Sequence, residues 1–201
     1  MIYLFEAVTD EVIISKSRFI TILTPITHQD QCHDVLLSIK KSYPKATHYC
    51  TAYILGEHGE FQGSSDDGEP SGTAGIPMLE ILRTKQVTNM FVVVVRYFGG
   101  IKLGAGGLIR AYAGAVKDAL AYGSYYQKIK APAYRVHFNY HLIAKFDQLF
   151  TEATILDKSF LDEVIYTVCF ADGNDSILDS AKHLFNNLVK IEDETLIIPW
   201  P

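Results

Sequence analysis

Alternating apolar and polar residues predict two strands in the first part of the chain. Residues 13–23 (IISKSRFITIL) alternate closely enough for one strand, and residues 46–55 (ATHYCTAYIL) predict a second. The residues Gly56-Glu57-His58-Gly59 then predict a hairpin turn into a short further strand. These patterns place strands on both sides of the first predicted helix.

That helix is predicted from an apolar face with a period near 3.6. Four residues share this face: Val35, Leu36, Ile39 and Tyr43. Thr27 and Asp30 approximate a capping box, which predicts that the helix begins directly after Thr27. Pro44 ends it.

A continuous β-branched run, Phe91–Val95 (FVVVV), predicts a strand that is covered on both faces. Before it, residues 76–87 have a helical pattern with Ile76, Leu79 and Leu82 on one side. After it, seven apolar residues follow helical spacing: Leu108, Ala111, Tyr112, Ala115, Val116, Ala119 and Leu120.

The last third of the chain predicts the element order β-α-β-β-α-β, which is that of ferredoxin-like folds. Strands are predicted over residues 134–140, 155–161, 164–170 and 190–198, with helices over 141–153 and 175–188. The helical period breaks and the charge balance changes between Gly123 and Pro132. We therefore predict two domains, residues 1–127 and 131–201.

The net charge of −5 is unevenly distributed. Residues 1–130 hold 13 Lys and Arg against 12 Asp and Glu, whereas residues 131–201 hold 5 against 11. The total argues against bulk electrostatic binding to nucleic acid, but it leaves room for a local basic patch in the first part. The acidic second part is interpreted as a solvated surface.

The sequence also indicates a location. It has no run of eighteen apolar residues, and its N-terminus MIYLFEAVTD lacks the basic start of a signal peptide. The widely spaced Cys32, Cys50 and Cys169 form neither a disulfide framework nor a zinc site. A reducing, cytoplasmic setting without membrane contact is expected.

Residues 95–108 (VRYFGGIKLGAGGL) carry five of the chain's 14 glycines between a predicted strand and a predicted helix. A helix N-terminus exposes unpaired N–H groups and a partial positive charge, and glycine lets a ligand approach that backbone. Together with nearby basic side chains this predicts a phosphate-binding site. The competing interpretation is that the glycines only permit positive φ angles and tight helix–sheet packing.

This glycine-rich segment is not one of the common nucleotide-binding motifs. It lacks the G-x-x-x-x-G-K-[ST] ending of a Walker loop, and it lacks the spacing and the later acidic residue of a Rossmann fingerprint. The ligand-binding candidates here are Arg96, Tyr97, Gly99, Gly100, Lys102, Gly104, Gly106 and Arg110.

A second candidate segment reads SSDDGEPSGTAG and places Asp66, Asp67 and Glu69 within four residues. Such carboxylates repel one another unless a cation, a donor-rich turn or a basic partner lies nearby, and Mg²⁺ prefers oxygen ligands. The spacing is not that of an EF-hand, and a surface turn is the competing interpretation. Ser71 or Thr73 is expected to cap the following helix. All five residues are ligand-binding candidates.

A third candidate is the stretch Thr47-His48-Tyr49-Cys50, because a strand points His48 and Cys50 to the same face. A Cys–His pair can act as nucleophile and base. Residues at i and i+2 are rarely oriented for this, and no orienting partner is evident. We therefore expect Cys50 in the core and His48 in a polar network, and we assign no catalytic residue.

Three segments in this order and spacing, ATHYCTAY, SDDGEPSGTAGIPML and VVVVRYFGGIKLGAGGLIRAY, closely resemble the bacterial YigZ and eukaryotic IMPACT family. The resemblance covers about residues 1–125, and the region from about residue 131 is similar to the C-terminal domain of bacterial members. It implies a two-domain α+β fold. The first domain would resemble the second domain of ribosomal protein S-five, and the ferredoxin-like second domain would resemble domain V of elongation factor G.

The resemblance also implies a setting in translation or stress response. Both folds recur in ribosomal and translation proteins, although a fold does not fix a function. Eukaryotic members regulate translation by binding the activator of the kinase that answers amino-acid starvation. They do so with a further N-terminal domain that is not expected here, so that partner does not carry over safely.

Our preferred hypothesis is a binding and regulatory protein that acts on RNA, the ribosome or translation factors and needs no cofactor. Arg96, Lys102 and Arg110 would contact phosphates, and Tyr97 and Phe98 would stack on bases if they are exposed.

Two alternatives remain open. In the first, the chain is an enzyme acting on a phosphorylated small molecule, and Asp66, Asp67 or Glu69 places Mg²⁺ or acts as a base. In the second, it is a protein-interaction module whose acidic second domain meets a basic partner. The arrangement of the carboxylates relative to the glycine-rich segment is the observation that distinguishes a shared ligand site from two separate features.

Overall fold

The computed structural model describes residues 1–173 and 175–200, and the chain divides into two compact units. The first unit comprises Met1–Gln127 together with the residues from Pro199 onward, and the second comprises Lys128–Ile198. The two-domain α+β class is thus confirmed, whereas domain ends at residues 127 and 131 stay a proposal. Within the described residues, no helix is both long and apolar enough to cross a membrane.

The first unit is built on an antiparallel five-stranded sheet in the order β2-β3-β7-β4-β5. Its strands are β2 (Val8–Ile14), β3 (Ser17–Pro25), β4 (His48–Leu55), β5 (Phe61–Ser65) and β7 (Met90–Tyr97). A smaller group pairs β1 (Ile2–Leu4) with β6 (Val87–Thr88) and with the start of β8 (Tyr125–Phe138). The helices are α1 (Gln31–Ser42), α2 (Gly75–Thr84) and α3 (Gly104–Leu120).

The central strand β7 explains the β-branched run in the sequence. Val92 and Val94 belong to the core beneath α2 and α3, whereas Val93 and Val95 belong to the core that α1 covers. All four valines are fully buried. The prediction of a strand covered on both faces is confirmed. So is the apolar face predicted for α3, because all seven of its residues are buried.

The prediction of one strand over residues 13–23 is wrong, because the chain turns back within it. Ile14 ends β2 and pairs with Ser17 at the start of β3. Ser15 and Lys16 form the turn with positive φ angles of 48° and 63°. Two-residue hairpin turns of this kind favour Asn and Gly, so the Ser-Lys sequence gave no signal of a turn.

The predicted capping box at the start of α1 is also wrong. The helix begins at Gln31, and the Asp30 side chain makes no capping hydrogen bond. Instead, the Gln31 side-chain oxygen accepts hydrogen bonds from the backbone N–H groups of Thr27 and His28, at 2.7 and 3.0 Å. The first residue of the helix therefore accepts hydrogen bonds from the preceding turn, whereas the prediction had a residue of that turn capping the helix. The predicted apolar face of α1 does pack on the sheet.

Helix α2 is shorter than predicted and turns a different face to the core. It ends at Thr84, and Val87 already belongs to β6. Ile76 was predicted on the apolar side but is 50% exposed, whereas Met78, Leu79 and Leu82 are buried. Asp66 in the preceding loop binds the backbone at the start of α2 and orients its first turn. The spacing of apolar residues cannot predict such a contact.

The second unit follows the predicted β-α-β-β-α-β order. The part of β8 from Lys128 onward is the unit's first strand, and it is followed by α4 (Ile143–Leu149), β9 (Thr154–Phe160), β10 (Val164–Cys169), α5 (Ser176–Ala181) and β11 (Asn187–Pro199). Strand β10 pairs with β8 and β9, and β11 pairs with β8. Both helices are shorter than predicted, since single 3-10 turns at 140–142 and 182–184 replace part of each.

Candidate functional site

The carboxylate-rich loop and the glycine-rich segment line one cleft in the first unit. The cleft has a volume of about 430 Å³, and residues 69–70 and 102–105 form much of its wall. Thr47, His48, Arg96 and Phe98 also line it. Segments that are about thirty residues apart in the sequence therefore share a single concave surface.

The sheet and α3 position this wall. Arg96 is near the end of β7, and His48 at the start of β4 is its register partner. Leu103, Gly104 and Ala105 form the start of α3, and Glu69 and Pro70 come from the loop after β5. The cleft is thus built where the ends of two paired strands meet a helix N-terminus.

A buried ion pair closes the floor of the cleft. Arg96 Nη1 donates to Glu69 Oε1 at 2.5 Å, and the two side chains are only 5% and 4% exposed. The Tyr112 hydroxyl donates to the same oxygen at 2.7 Å. The Arg96 guanidinium also lies 5.3 Å from the Phe19 ring centre and 5.6 Å from that of Phe98. Arg96 is therefore held within the fold, whereas the sequence analysis expected it to contact phosphates.

One polar atom on Arg96 is left without a partner. Among residues 1–173 and 175–200, its Nε is the one buried side-chain polar atom that makes no hydrogen bond. Leaving a buried donor unsatisfied costs about 1–3 kcal/mol. The cleft floor thus contains an unmatched positive donor beneath the exposed Phe98 ring.

His48 is oriented by the carboxylate-rich loop. Its Nδ1 lies 2.8 Å from the Asp67 carbonyl oxygen, which can only accept a hydrogen bond. Nδ1 therefore carries the hydrogen, and in the neutral ring Nε2 is an acceptor. Nε2 lies 3.8 Å from Glu69 Oε2. His48 is in the polar network expected from the sequence.

Asp66 caps helix α2 from eight or more residues away. One carboxylate oxygen accepts from the backbone N–H groups of Ala74 and Gly75, at 3.0 and 2.8 Å, and the other accepts from Gly72 N–H at 2.8 Å. The prediction that Ser71 or Thr73 caps this helix is wrong, because α2 has no cap from its own N-cap residue and the Thr73 hydroxyl donates to Pro70 O.

We predict that acid weakens the fold through this cap. Burial alone would raise the pKa of Asp66, but the three backbone N–H groups outweigh it and lower the pKa below its usual value. A lowered folded-state pKa contributes stability that is present above the ordinary Asp range and is lost as pH falls through the lowered value.

The measurement is urea unfolding of wild type and Asp66→Asn between pH 7 and pH 2. The variant should be less stable by about 2 kcal/mol at pH 7, and the difference should shrink toward the lowest pH. Asp30→Asn is the matched control, since Asp30 also precedes a helix but makes no capping bond. An Asp66→Asn difference that stays constant with pH would contradict the proposed role of the charge.

The three carboxylates do not converge on a common point. Asp67 Oδ2 accepts from Tyr49 N–H at 2.6 Å, Asp66 caps α2, and Glu69 pairs with Arg96. Within the described ranges there is no group of three or more His, Cys, Asp or Glu that could hold a metal ion. The geometry therefore gives the predicted Mg²⁺ interpretation no ligand set.

Cys50 lies in the core, as expected from the sequence. It is fully buried, and its Sγ donates to the Asp66 carbonyl oxygen at 3.0 Å. Burial raises the pKa of the thiol to about 12. A thiol that stays protonated is a poor nucleophile, so Cys50 and His48 do not form a catalytic pair.

Two glycines of the glycine-rich segment have distinct structural roles. A side-chain Cβ on Gly99 would lie 1.9 Å from the Lys16 carbonyl oxygen, so the close approach of two backbones requires glycine there. Gly104 has φ of 69° at the start of α3, a conformation that favours glycine, with open space around it. Gly99 is therefore required for packing, whereas Gly104 leaves room at the helix N-terminus.

The predicted site residues separate into two groups. Those that line the cleft are Glu69, Arg96, Lys102 and Gly104. Those that do not are Asp66, Asp67, Ser71, Thr73, Tyr97, Gly99, Gly100, Gly106 and Arg110. Tyr97 points to the opposite face of the sheet, where its hydroxyl donates to Pro44 O at 3.2 Å. Asp67 contacts the cleft residue His48, and Gly99 donates to Ser17 Oγ, which also accepts from Arg96.

Sequence reasoning missed part of the wall. Thr47, Leu103 and Leu108 line the cleft, and Tyr112 supports its floor. Tyr112 was predicted only as an apolar helix residue, and its spacing gave no sign of a buried hydrogen bond to Glu69. A large polar aromatic residue on an apolar helical face was the available signal, because a buried tyrosine hydroxyl usually finds a partner.

Comparison with known sequences identifies the region that contains this cleft. Residues 15–120 match the Impact N-terminal domain. The IMPACT family member YvyE of Bacillus subtilis is 50% identical over 57% of this chain and 53% of its own length. The IMPACT family member YigZ of Escherichia coli is 41% identical over 68% of both chains. The matched part thus covers between about half and two thirds of these relatives.

Solved structures add a match over nearly the whole chain. A crystal structure of a hypothetical protein is 33% identical, covers 96% of this chain and 98% of its own, and gives a TM-score of 0.61. The two-domain translational regulator Yih1 is 27% identical over 60% of this chain, with a TM-score of 0.37. The first match agrees with the two-domain α+β fold described above.

Proposed function

The chain belongs to the IMPACT family, and we propose that it is a binding and regulatory protein of translation that contacts RNA through the cleft. The observation that carries this proposal is the shared wall of the cleft, where the glycine-rich segment and Glu69 face the same space. The other family-derived expectations, a cytoplasmic setting, a stress response and ribosome or factor partners, are part of the same proposal.

The wall of the cleft offers the two kinds of contact that single-stranded RNA uses. Lys102 is exposed at the start of α3, and that helix begins without a side-chain cap. A cation beside free backbone N–H groups suits a phosphate. The Phe98 ring lines the same cleft and is 46% exposed, so a base can stack on it.

The charge of the chain sets the expected strength of binding. A net charge of −5 gives no general attraction for nucleic acid, so affinity depends on a few local contacts. Arg96 is paired with Glu69, and Arg110 is not one of the residues that line the cleft. Of the lysines and arginines predicted to bind, Lys102 is therefore the exposed one in the wall. Modest affinity with a shallow salt dependence follows.

The carboxylates argue against the enzymatic alternative. Asp66 and Asp67 accept backbone hydrogen bonds and do not line the cleft, and Glu69 neutralises Arg96. Because each of these three carboxylates has a different partner, they do not converge to bind one metal ion together. A thermal-shift screen with nucleotides, with and without Mg²⁺, tests this alternative, which would require stabilisation by one nucleotide that depends on the metal.

We predict that Lys102→Ala weakens the binding of single-stranded RNA for all sequences alike. Removing one phosphate contact should also reduce the slope of log affinity against log salt by about 1. Fluorescence anisotropy with labelled oligonucleotides at several salt concentrations measures both effects. Lys41→Ala is the matched control, because Lys41 is an exposed lysine in the last turn of α1 and does not line the cleft.

Two results would contradict the proposal. The first is an absence of RNA binding at micromolar protein concentrations, and the second is binding that does not change with salt. Equal weakening by Lys102→Ala and Lys41→Ala would show binding to the general surface and would remove the cleft as the site.

A further inference from the structure

Two hydrogen-bond acceptors, one on His48 and one on Glu69, lie close together in the cleft. His48 Nδ1 donates to the Asp67 carbonyl oxygen, which leaves Nε2 of the neutral ring as an acceptor. Glu69 Oε1 already accepts from Arg96 and Tyr112, whereas Oε2 makes no hydrogen bond within the described ranges. The two acceptors, Nε2 and Oε2, are 3.8 Å apart.

Both acceptors are open to the cleft. Both His48 and Glu69 line the cleft. Among the described residues, Arg96 Nε is the one side-chain polar atom that is both buried and without a hydrogen bond. Glu69 Oε2 also lacks a hydrogen bond but is not such a buried atom, so it keeps contact with the solvent in the cleft. With the His48 ring neutral, Nε2 and Oε2 are both acceptors, so a hydroxyl placed there donates its hydrogen to one of them.

The surroundings narrow the chemistry of that donor. Lys102 and the uncapped start of α3 line the same cleft and favour an anion, and Phe98 offers a ring for stacking. The ligand thus combines a donor, a nearby anion and a flat ring. In an RNA strand the 2′-hydroxyl supplies an O–H beside each 3′-phosphate, and a DNA strand lacks it.

We propose that the cleft selects RNA over DNA at the His48–Glu69 pair, where His48 Nε2 accepts the one hydrogen bond that a ribose 2′-hydroxyl donates. This inference rests on the proposed function, since it assumes that RNA enters the cleft. It adds a specificity to that function. Lys102 and the α3 N-terminus hold the phosphate of either nucleic acid, and the acceptor pair distinguishes the sugar.

The first test uses the wild-type protein and one uridine sequence in three forms. These are RNA, 2′-O-methyl RNA and deoxyuridine DNA, all carrying the same bases. Anisotropy at low salt should show RNA binding about two- to tenfold tighter than the other two, the range expected from one net hydrogen bond. The methylated form keeps the ribose oxygen but cannot donate, so it should behave like DNA.

The second test uses two substitutions of the same histidine. The amide of His48→Asn can still donate to the Asp67 carbonyl oxygen but does not reach the position of Nε2. The longer side chain of His48→Gln places a polar group near that position. We expect His48→Asn to lose the preference for RNA while still binding both strands, and His48→Gln to keep part of it.

The outcomes separate this inference from the proposed function. Equal affinity of the wild type for all three oligonucleotides, with Lys102→Ala weakening each of them, would overturn sugar selection and leave RNA binding in place. An RNA preference that is unchanged in His48→Asn would also overturn it. If the wild type binds none of the three, both the proposed function and this inference fail.

Discussion

Glu69→Ala is expected to lower the free energy of unfolding by about 3–5 kcal/mol, the cost of leaving one partner of a buried ion pair without the other. The substitution leaves the Arg96 guanidinium with an unpaired charge at 5% exposure, in addition to its unsatisfied Nε. The Tyr112 hydroxyl loses its acceptor as well. Equilibrium urea unfolding, followed by circular dichroism, measures the loss.

The matched control is Glu11→Ala. Glu11 also accepts from an arginine, Arg18, at 2.7 Å, but the two side chains are 41% and 47% exposed. Solvent screens an exposed pair of this kind, so this variant should unfold almost like the wild type. Similar losses in the two variants would show that solvent reaches the Arg96–Glu69 pair and would remove the explanation given for the cleft floor.

Local patterns predicted the elements because the residues that determine them are close together in the sequence. The β-branched run of β7 and the seven-residue apolar face of α3 each contain their own signal, and both are found as predicted. The Ser15-Lys16 turn was missed because positive φ angles there come from strand pairing across the hairpin and are not encoded by typical turn residues.

The candidate site was predictable as segments but not as contacts. Glycines before a helix and three nearby carboxylates indicated two working segments, and the structure brings parts of both to one cleft. The role of Glu69 depends on hydrogen-bond partners that are distant in the sequence and become neighbours only in the folded chain. Glu69 pairs with a residue 27 positions away, and its Tyr112 partner is 43 positions away. Local residue spacing cannot predict contacts between residues so far apart in the sequence.

Two glycines fit the interpretation that the segment needs positive φ angles and close packing. Gly99 lies against the backbone of the β2–β3 turn, and Gly104 has a positive φ of 69°. The open space around Gly104 also leaves the proposed anion site at the start of α3 accessible. The rigid contact at Gly99 fixes where the segment leaves the sheet, and this determines where Lys102 and the helix N-terminus are placed. Packing at one glycine therefore positions the proposed binding surface at the other.

Gly99→Ala is accordingly expected to reduce both stability and RNA binding. A Cβ at this position would lie 1.9 Å from the Lys16 carbonyl oxygen and 2.0 Å from its carbon. Both are backbone atoms of a tight turn, so relief requires the segment itself to move. Overpacking of this kind costs about 1–3 kcal/mol, occasionally more. The Gly99 N–H would also lose its hydrogen bond to Ser17 Oγ, now 3.2 Å.

Gly114→Ala provides the control for this substitution. Gly114 is inside α3, and a Cβ there would meet nothing within 4 Å. Alanine favours a helix interior over glycine by about 1 kcal/mol, so this variant should be more stable than the wild type and bind RNA equally well. Urea unfolding and anisotropy on both variants decide the matter. If Gly99→Ala keeps full stability and affinity, the turn yields to a side chain, and the packing of Gly99 cannot be what positions Lys102.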